Sequence, residues 1–485
     1  MRIDFPRVVK VSLLRVKVGK RFRSRVRATE RTIAVSSAFG LGLDEEREIV
    51  VVPETSFEIN PGDVALISGE SGSGKTIMLR LISSQLSKSR EFSPVIWSGQ
   101  LGVSSGELVV HGVGGSVEEA LETLSHVGLN EAFIFLRRFR ELSEGQRHRY
   151  LLAKAFNSGA KTIIIDDFCS PLDEVTARVV AYTAQKLARR RGLTFIAATT
   201  REDILEDLNP SLHICKELGE KIKITRRKPV SKPCSIHREV KIRRTGVEAY
   251  KALSRFHYIS GRLPPVRRVF AAYHRGEVVG VIVYSYPLPN HYARNLVFPW
   301  LRDYRPRERL RIVNRLFSRI ARVIVHPRYR GIGLGRRMVE ETLPRAGTPI
   351  VETLAVMARY NPFFEKAGMK KVQARGAEKT WSKLLKPLED LGFNLDLAVS
   401  KRYNVRVIKS LGKERVARLR RVVVRLAEAL RRSKLRYIKP RVDDVESLAE
   451  TIKRCIPRRG TVYLYWVRDD FHRQKYLTRE SLRDE

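Results

Sequence analysis

The chain has 485 residues, enough for two or three domains, and carries 93 Lys and Arg against 52 Asp and Glu, a net charge of +41. No run reaches the ~18 apolar residues of a membrane span, and no apolar stretch precedes a small-residue cleavage site, so the expected chain is cytoplasmic, neither secreted nor membrane-spanning. A field this basic points to nucleic acid, because each neutralised phosphate releases counterions; an anionic membrane surface and a generally basic proteome are the alternatives.

Residues 1–47 form a basic strand region. Residues 1–31 hold 11 Lys and Arg against 2 acids, and Val8–Val18 ends in a period-two pattern that predicts a strand with a basic outer face. Residues 48–235, including a basic connector over 205–235, alternate strands and helices. Within them Val64–Ser68 predicts a buried strand and Ile77–Ile82 a helix. Between these lies Gly69-Glu70-Ser71-Gly72-Ser73-Gly74-Lys75-Thr76. Backbone amides around Gly69, Ser71, Gly72 and Gly74 can turn inward on phosphates, Lys75 adds charge, and Thr76 can hold Mg²⁺. Leu142-Ser143-Glu144-Gly145-Gln146 follows, then the apolar strand Thr162–Ile165 with Asp166 and Asp167, then Ser170-Pro171-Leu172-Asp173.

These four segments together resemble the ABC-type ATPases. The resemblance implies ATP and Mg²⁺ as ligands, with Thr76 and Asp166 at the metal. It implies Ser143, Gly145 and Gln146 as the signature that caps the γ-phosphate held by a partner, hence a homodimer, with Asp173 in the D-loop. There are three departures. Asp167 stands where the family has a catalytic Glu, one methylene longer. Thr200 and Arg201 follow Phe195–Thr199 where a switch His is expected. Gln100 is the sole candidate for the Q-loop glutamine, and its sequence context is poor.

Residues 236–385 predict a second α/β unit. Phe270–Tyr284 reads as a hairpin with a Gly turn, and Ala321–Val325 as a strand. His326–Gly335, with Leu334 in it, turns this strand into the helix Arg336–Leu343. Arg330, Gly331, Gly333 and Gly335 would set backbone amides and one positive charge against a pyrophosphate. With Ile350–Val356 and Asn361–Met369, the string from Val325 resembles the GCN5-related N-acetyltransferases (GNATs). That implies acetyl-CoA or another acyl-CoA as cofactor. The family's acid tyrosine is replaced by Phe364. Tyr360, Glu352 and the pair His257 and Tyr258 are the candidate catalytic residues, with a structural carboxylate and an aromatic packing corner as the other readings of the last two features.

Residues 386–485 predict a basic, mainly helical region. Val416, Leu419, Val423, Leu426 and Leu430 recur at helical spacing beside Arg415, Arg418, Arg421, Arg425, Arg431 and Arg432, and residues 401–440 hold 15 Lys and Arg against 2 acids. The four cysteines are too sparse for a disulfide framework; His213, Cys215, Cys234 and His237 could in principle hold zinc, against ordinary buried Cys and surface His. Only 6 glutamines occur, a bias that suits a thermophile.

The expected fold class is α/β: an ABC-type head, a GNAT-fold domain, then the basic helical region. The domain order resembles an archaeal family of ABC-type ATPases fused to an acetyltransferase. The leading expectation is an ATP-dependent N-acyltransferase acting on nucleic acid, RNA (tRNA or rRNA) somewhat ahead of DNA. The alternatives are a protein N-acetyltransferase regulated by the head, and a non-catalytic nucleic-acid clamp that senses acyl-CoA.

Overall fold

The computed structural model describes residues 13–24, 26–42, 47–257, 263–355, 358, 361–372, 375–432, 437–456 and 462–471. Tyr258, Tyr360 and the start of the basic N-terminal strand lie outside them. The chain forms two compact units. One comprises Met1–Tyr286 with Ile320–Gly347, the other Pro287–Arg319 with Thr348–Glu485.

In the first unit, β1 (Leu14–Ser24) pairs antiparallel with β2 (Arg47–Ile59). A six-stranded sheet follows, built from β3 (Val64–Ser68), β4 (Val95–Trp97), β5 (Thr162–Ile165), β6 (Thr194–Thr199), β7 (Leu212–Lys216) and β8 (Ile222–Arg226). Its order is β4-β5-β6-β3-β7-β8, parallel except for β8. Strands β3, β5 and β6 are buried along their whole length, as parallel strands covered on both faces must be. The helix Lys75–Leu86 packs on one face with Met78, Leu79 and Ile82, and Glu144–Phe156 and Glu174–Arg190 pack on the other. Ligand loops therefore gather at the carboxyl ends of the strands. The same unit carries β9 (Lys241–Thr245), β10 (Val266–His274) and β11 (Glu277–Ser285) as an antiparallel run. It also holds the second part of β12 (Phe317–Val325) and the helix Leu334–Thr342. Gly280 lets Met338 of that helix close on β11.

In the second unit, β13 (Ile350–Ala355), β14 (Lys370–Val372) and β15 (Val462–Val467) form an antiparallel set with β15 in the middle. The last strand thus returns to pair with two strands that precede it by about ninety residues (β14) and more than a hundred (β13). Among the described residues between β14 and β15 lie four helices, Arg375–Glu389, Lys401–Ser410, Lys413–Arg432 and Val445–Cys455, around their own core of Leu388, Phe393, Leu419, Val423, Leu430 and Ile452. The basic helical region is therefore an insertion between strands, and the span 236–385 expected for the second α/β unit leaves β15 out. Among the described residues, no helix is long and apolar enough to cross a membrane.

Candidate functional site

Strand β3 runs directly into the glycine-rich loop. A Cβ at Gly69 would collide with the carbonyl of Lys216, so the close strand approach there requires glycine. Ser71 and Gly72 are exposed on the rim. Gly74 caps the helix Lys75–Leu86 with φ 96°, in the left-handed region. Lys75 Nζ donates to the carbonyls of Gly69 (2.9 Å) and Glu70 (2.6 Å), which holds the cation across the loop. Burial lowers the Lys75 pKa, and Asp167 and Asp166 work against that fall.

The Thr76 hydroxyl donates to Asp166 Oδ2 at 2.6 Å. Two hard oxygen donors at one point suit Mg²⁺, which takes one or two protein oxygens and completes its shell with phosphate and water. Asp167 is exposed with φ 49°, and its amide donates to Asp166 Oδ1 (3.1 Å). Asp occupies the left-handed region more readily than Glu, which accounts physically for the shorter acid. A cleft of about 660 Å³ opens beside this pair, lined among others by Trp97, Gln100 and His148. Gln100 ends a 3₁₀ turn after β4, so the fold places the residue with poor sequence context in the lining of the same cleft as Thr76 and Asp166. His148 carried no sequence signal. It accepts from the Cys169 amide (3.3 Å), and burial, with Arg149, depresses its pKa to about 4.

The signature lies elsewhere. Ser143 is the N-cap of the helix Glu144–Phe156: its hydroxyl accepts from the Gln146 amide, and the Gln146 side chain accepts from the Ser143 amide (3.1 Å). Gln146 therefore spends its side chain on the helix start. A Cβ at Gly145 would stand 2.9 Å from Leu172 Cδ2, so a side chain there would require Leu172 to shift. Ser143, Gly145, Arg149, Pro171, Leu172, Asp173, Thr176, Pro327 and Arg328 line a second pocket of about 240 Å³. Among the described residues it shares no lining residue with the first. The glycine-rich loop and the signature segment of one chain thus border different pockets. Arg201, where a switch His was expected, pairs with Asp203 (2.6 Å) and donates to the Leu172 carbonyl, while Thr200 is exposed.

The second glycine-rich loop follows β12. Gly333 caps the helix Leu334–Thr342 with φ 91° and faces open space; Leu334 is buried, and Arg336 is exposed and paired with Glu340. Backbone amides at this end fit a pyrophosphate. Arg330 points the other way. Its guanidinium donates to the carbonyl of Val325 (2.8 Å) and to Asn130 (3.0 Å), and lies 3.7 Å from Glu131. Burial works against its charge and Glu131 supports it. Gly331, with φ 92°, lies against Thr183, where a Cβ would come within 2.9 Å of Cγ2. Both residues expected at a phosphate therefore also fasten the loop to the nucleotide-binding part of the unit. His257 follows the turn Ser254–Phe256 and is half-buried.

The second unit holds Glu352, Phe364 and Asn361. Glu352 is buried on β13 and accepts two bonds from Arg294 (2.8 and 2.5 Å) and one from the Tyr463 hydroxyl (2.8 Å). Burial and the neighbouring carboxylate push the Tyr463 pKa up. His291 stacks on Tyr463 at 5.0 Å, and its Nδ1 is buried with no hydrogen-bond partner among the described residues. Phe364 is buried and Asn361 exposed at the start of a short turn of helix. The four possible zinc ligands are otherwise engaged or apart. His213 bonds Ser68 (2.8 Å), His237 bonds the Ile332 carbonyl (2.8 Å), and among the described residues no three His, Cys, Asp or Glu side chains gather as a metal site.

The ABC transporter family model matches residues 52–170, and the Acetyltransferase (GNAT) family model matches residues 241–369. One chain carries an ABC-type ATPase domain and a GNAT acetyltransferase domain. Both domains are of enzyme families. Similar proteins include the ABC transporter ATP-binding protein YtrE of Bacillus subtilis, 28% identical over 193 residues, covering 33% of this chain and 82% of YtrE. The molybdate import ATP-binding protein MolC of Haemophilus influenzae is 26% identical over 181 residues, covering 34% and 72%. A solved dimeric structure of the cassette MJ0796 aligns at 17% identity and a TM-score of 0.33, over 45% of this chain and all of that one.

Proposed function

We propose that this ABC–GNAT chain is an ATP-dependent N-acyltransferase acting on nucleic acid, RNA ahead of DNA. The observation that carries the choice of substrate is the inserted helix Lys413–Arg432. Leu419, Val423, Leu426 and Leu430 are buried, whereas Arg415, Arg418, Arg421, Arg425, Arg431 and Arg432 are exposed along it. The apolar stripe is used up in packing, so the arginines are left to follow a phosphate backbone. In this reading ATP and Mg²⁺ sit on Gly69–Thr76 and Asp166 of one copy and meet Ser143 and Gly145 of a second, because each chain holds the two halves apart. Acyl-CoA lays its pyrophosphate on the amides around Gly333 and Gly335. Glu352, saturated by Arg294 and Tyr463, positions β13 rather than taking a proton.

The test is transfer of label from acetyl-CoA to total tRNA, rRNA or DNA, with and without ATP. Label on RNA that depends on ATP and falls with rising salt supports the reading. Label on polypeptide alone turns it into a protein acetyltransferase. Acetyl-CoA binding without transfer to either leaves a nucleic-acid clamp that senses acyl-CoA, which the burial of Glu352 and Phe364 favours as the second reading.

A further inference from the structure

The 240 Å³ pocket beside the signature is built from two domains. Ser143 and Gly145 fall in the stretch that the ABC family model matches and Asp173 follows it by three residues, but Pro327 and Arg328 belong to the acyl-CoA loop. Arg328 is the one cation in this lining whose side chain is more than half exposed, 56%, with Nε 3.5 Å from Asp173 Oδ2. Arg149, the other, spends its donors on the carbonyls of Gly145 and Gly128.

The loop carrying Arg328 is held firmly. Tyr329, the next residue, bonds His274 (2.8 Å), which bonds Glu239 (2.9 Å), which pairs with Arg178 of the helix that Asp173 caps (2.8 Å). Arg275, in the turn between β10 and β11, pairs with Glu174 on that helix (2.9 Å). Arg330 and Gly331 fasten the other side. Arg328 is thus an exposed side chain on a fixed stem, placed beside the signature segment of another domain.

We propose that Arg328 is a phosphate ligand in the paired form of the protein, contacting the terminal phosphate of the nucleoside triphosphate bound by a second copy, and that Asp173 holds it in reserve until then. The inference rests on the reading that two copies sandwich ATP between P-loop and signature. Its chemistry is electrostatic. A multiply charged phosphate entering the pocket competes with one carboxylate for the guanidinium; both bonds are charge-assisted, and the larger charge of the phosphate favours it.

The test measures dimerisation of the full chain by sedimentation, with Mg²⁺ and a non-hydrolysable ATP analogue, for wild type, Arg328→Ala and Asp173→Asn. Asn keeps the helix cap while removing the competing charge. Binding of a fluorescent ATP analogue to the monomer checks that each variant retains a folded head. Arg328→Ala should raise the dimer dissociation constant about tenfold, and Asp173→Asn should lower it. Opposite signs are the point, since a merely structural ion pair would make both variants weaken the dimer alike. Equal weakening, or no effect of Arg328→Ala on a wild type that does dimerise, overturns the inference alone. A wild type that binds the analogue but never dimerises overturns the sandwich reading and the inference with it.

Discussion

Replacing Glu352 by Gln removes one charge from an ion pair in which both side chains are sealed, Arg294 being 1% and Glu352 3% exposed. The pair is bidentate, and the Tyr463 hydroxyl occupies a further lone pair of the carboxylate. Gln keeps the shape, accepts through one oxygen only, and leaves the Arg294 guanidinium charged in the interior above the Phe317 ring. Breaking a buried pair from one side costs about 3–5 kcal/mol, which for a unit of this size is a fall in melting temperature of roughly 6–20 °C. The double replacement Arg294→Met with Glu352→Leu removes both charges at similar volume and should recover most of that loss, because the pair's attraction roughly offsets its desolvation. Thermal melts read by near-ultraviolet circular dichroism give the answer, since Tyr463, Tyr465 and Trp466 lie on β15. A Glu352→Gln variant that melts within about 2 °C of wild type but loses acyl transfer would refute the positioning role and make Glu352 the base.

His148 makes stability depend on pH. Its pKa in the folded chain is about 4 against 6.5 for the free side chain, so below pH 6.5 the unfolded chain takes up a proton that the folded one refuses. Stability should therefore fall on acidification between about pH 6.5 and 4, by about 2 kcal/mol already at pH 5; urea midpoints at pH 7 and pH 5 should show that loss in wild type and a smaller one in His148→Gln, and equal losses would dismiss the cause. Gly331→Ala and Gly333→Ala both force a Cβ into left-handed backbone at about 1–3 kcal/mol, but only the first also meets Thr183. Melts should rank Gly331→Ala as the more damaging, and Thr183→Ala should rescue it alone; rescue of both, or of neither, would mean that Gly331 does not dock the loop there.

Much of the ligand chemistry is local and so could be read in the chain. A P-loop needs its glycines, Lys75 and Thr76 within eight consecutive residues, and the phosphate turn after β12 is likewise contiguous. Period and burial follow the same logic: the apolar stripe from Leu419 to Leu430 is the stripe that packs, and the arginines between are the ones exposed. Gln100 had only a poor local context, and its place in one cleft with Thr76 and Asp166 depends on where β4 lies beside β5, a pairing across more than sixty residues.

The sequence by itself determined which segments can cradle phosphate, because backbone amides, glycines and one lysine or threonine act within a single turn. It also determined the basic field, which is a sum over residues and needs no fold. Only the tertiary structure decided what those segments touch. It turned Arg330 toward Asn130 and Glu131, set Gly331 on Thr183, and brought Arg328 to Asp173, since each pairing joins residues more than a hundred positions apart. It also returned β15 between β13 and β14, because the two edges left by a long helical insertion could be satisfied by one strand whose hydrogen bonds no short-range pattern announces.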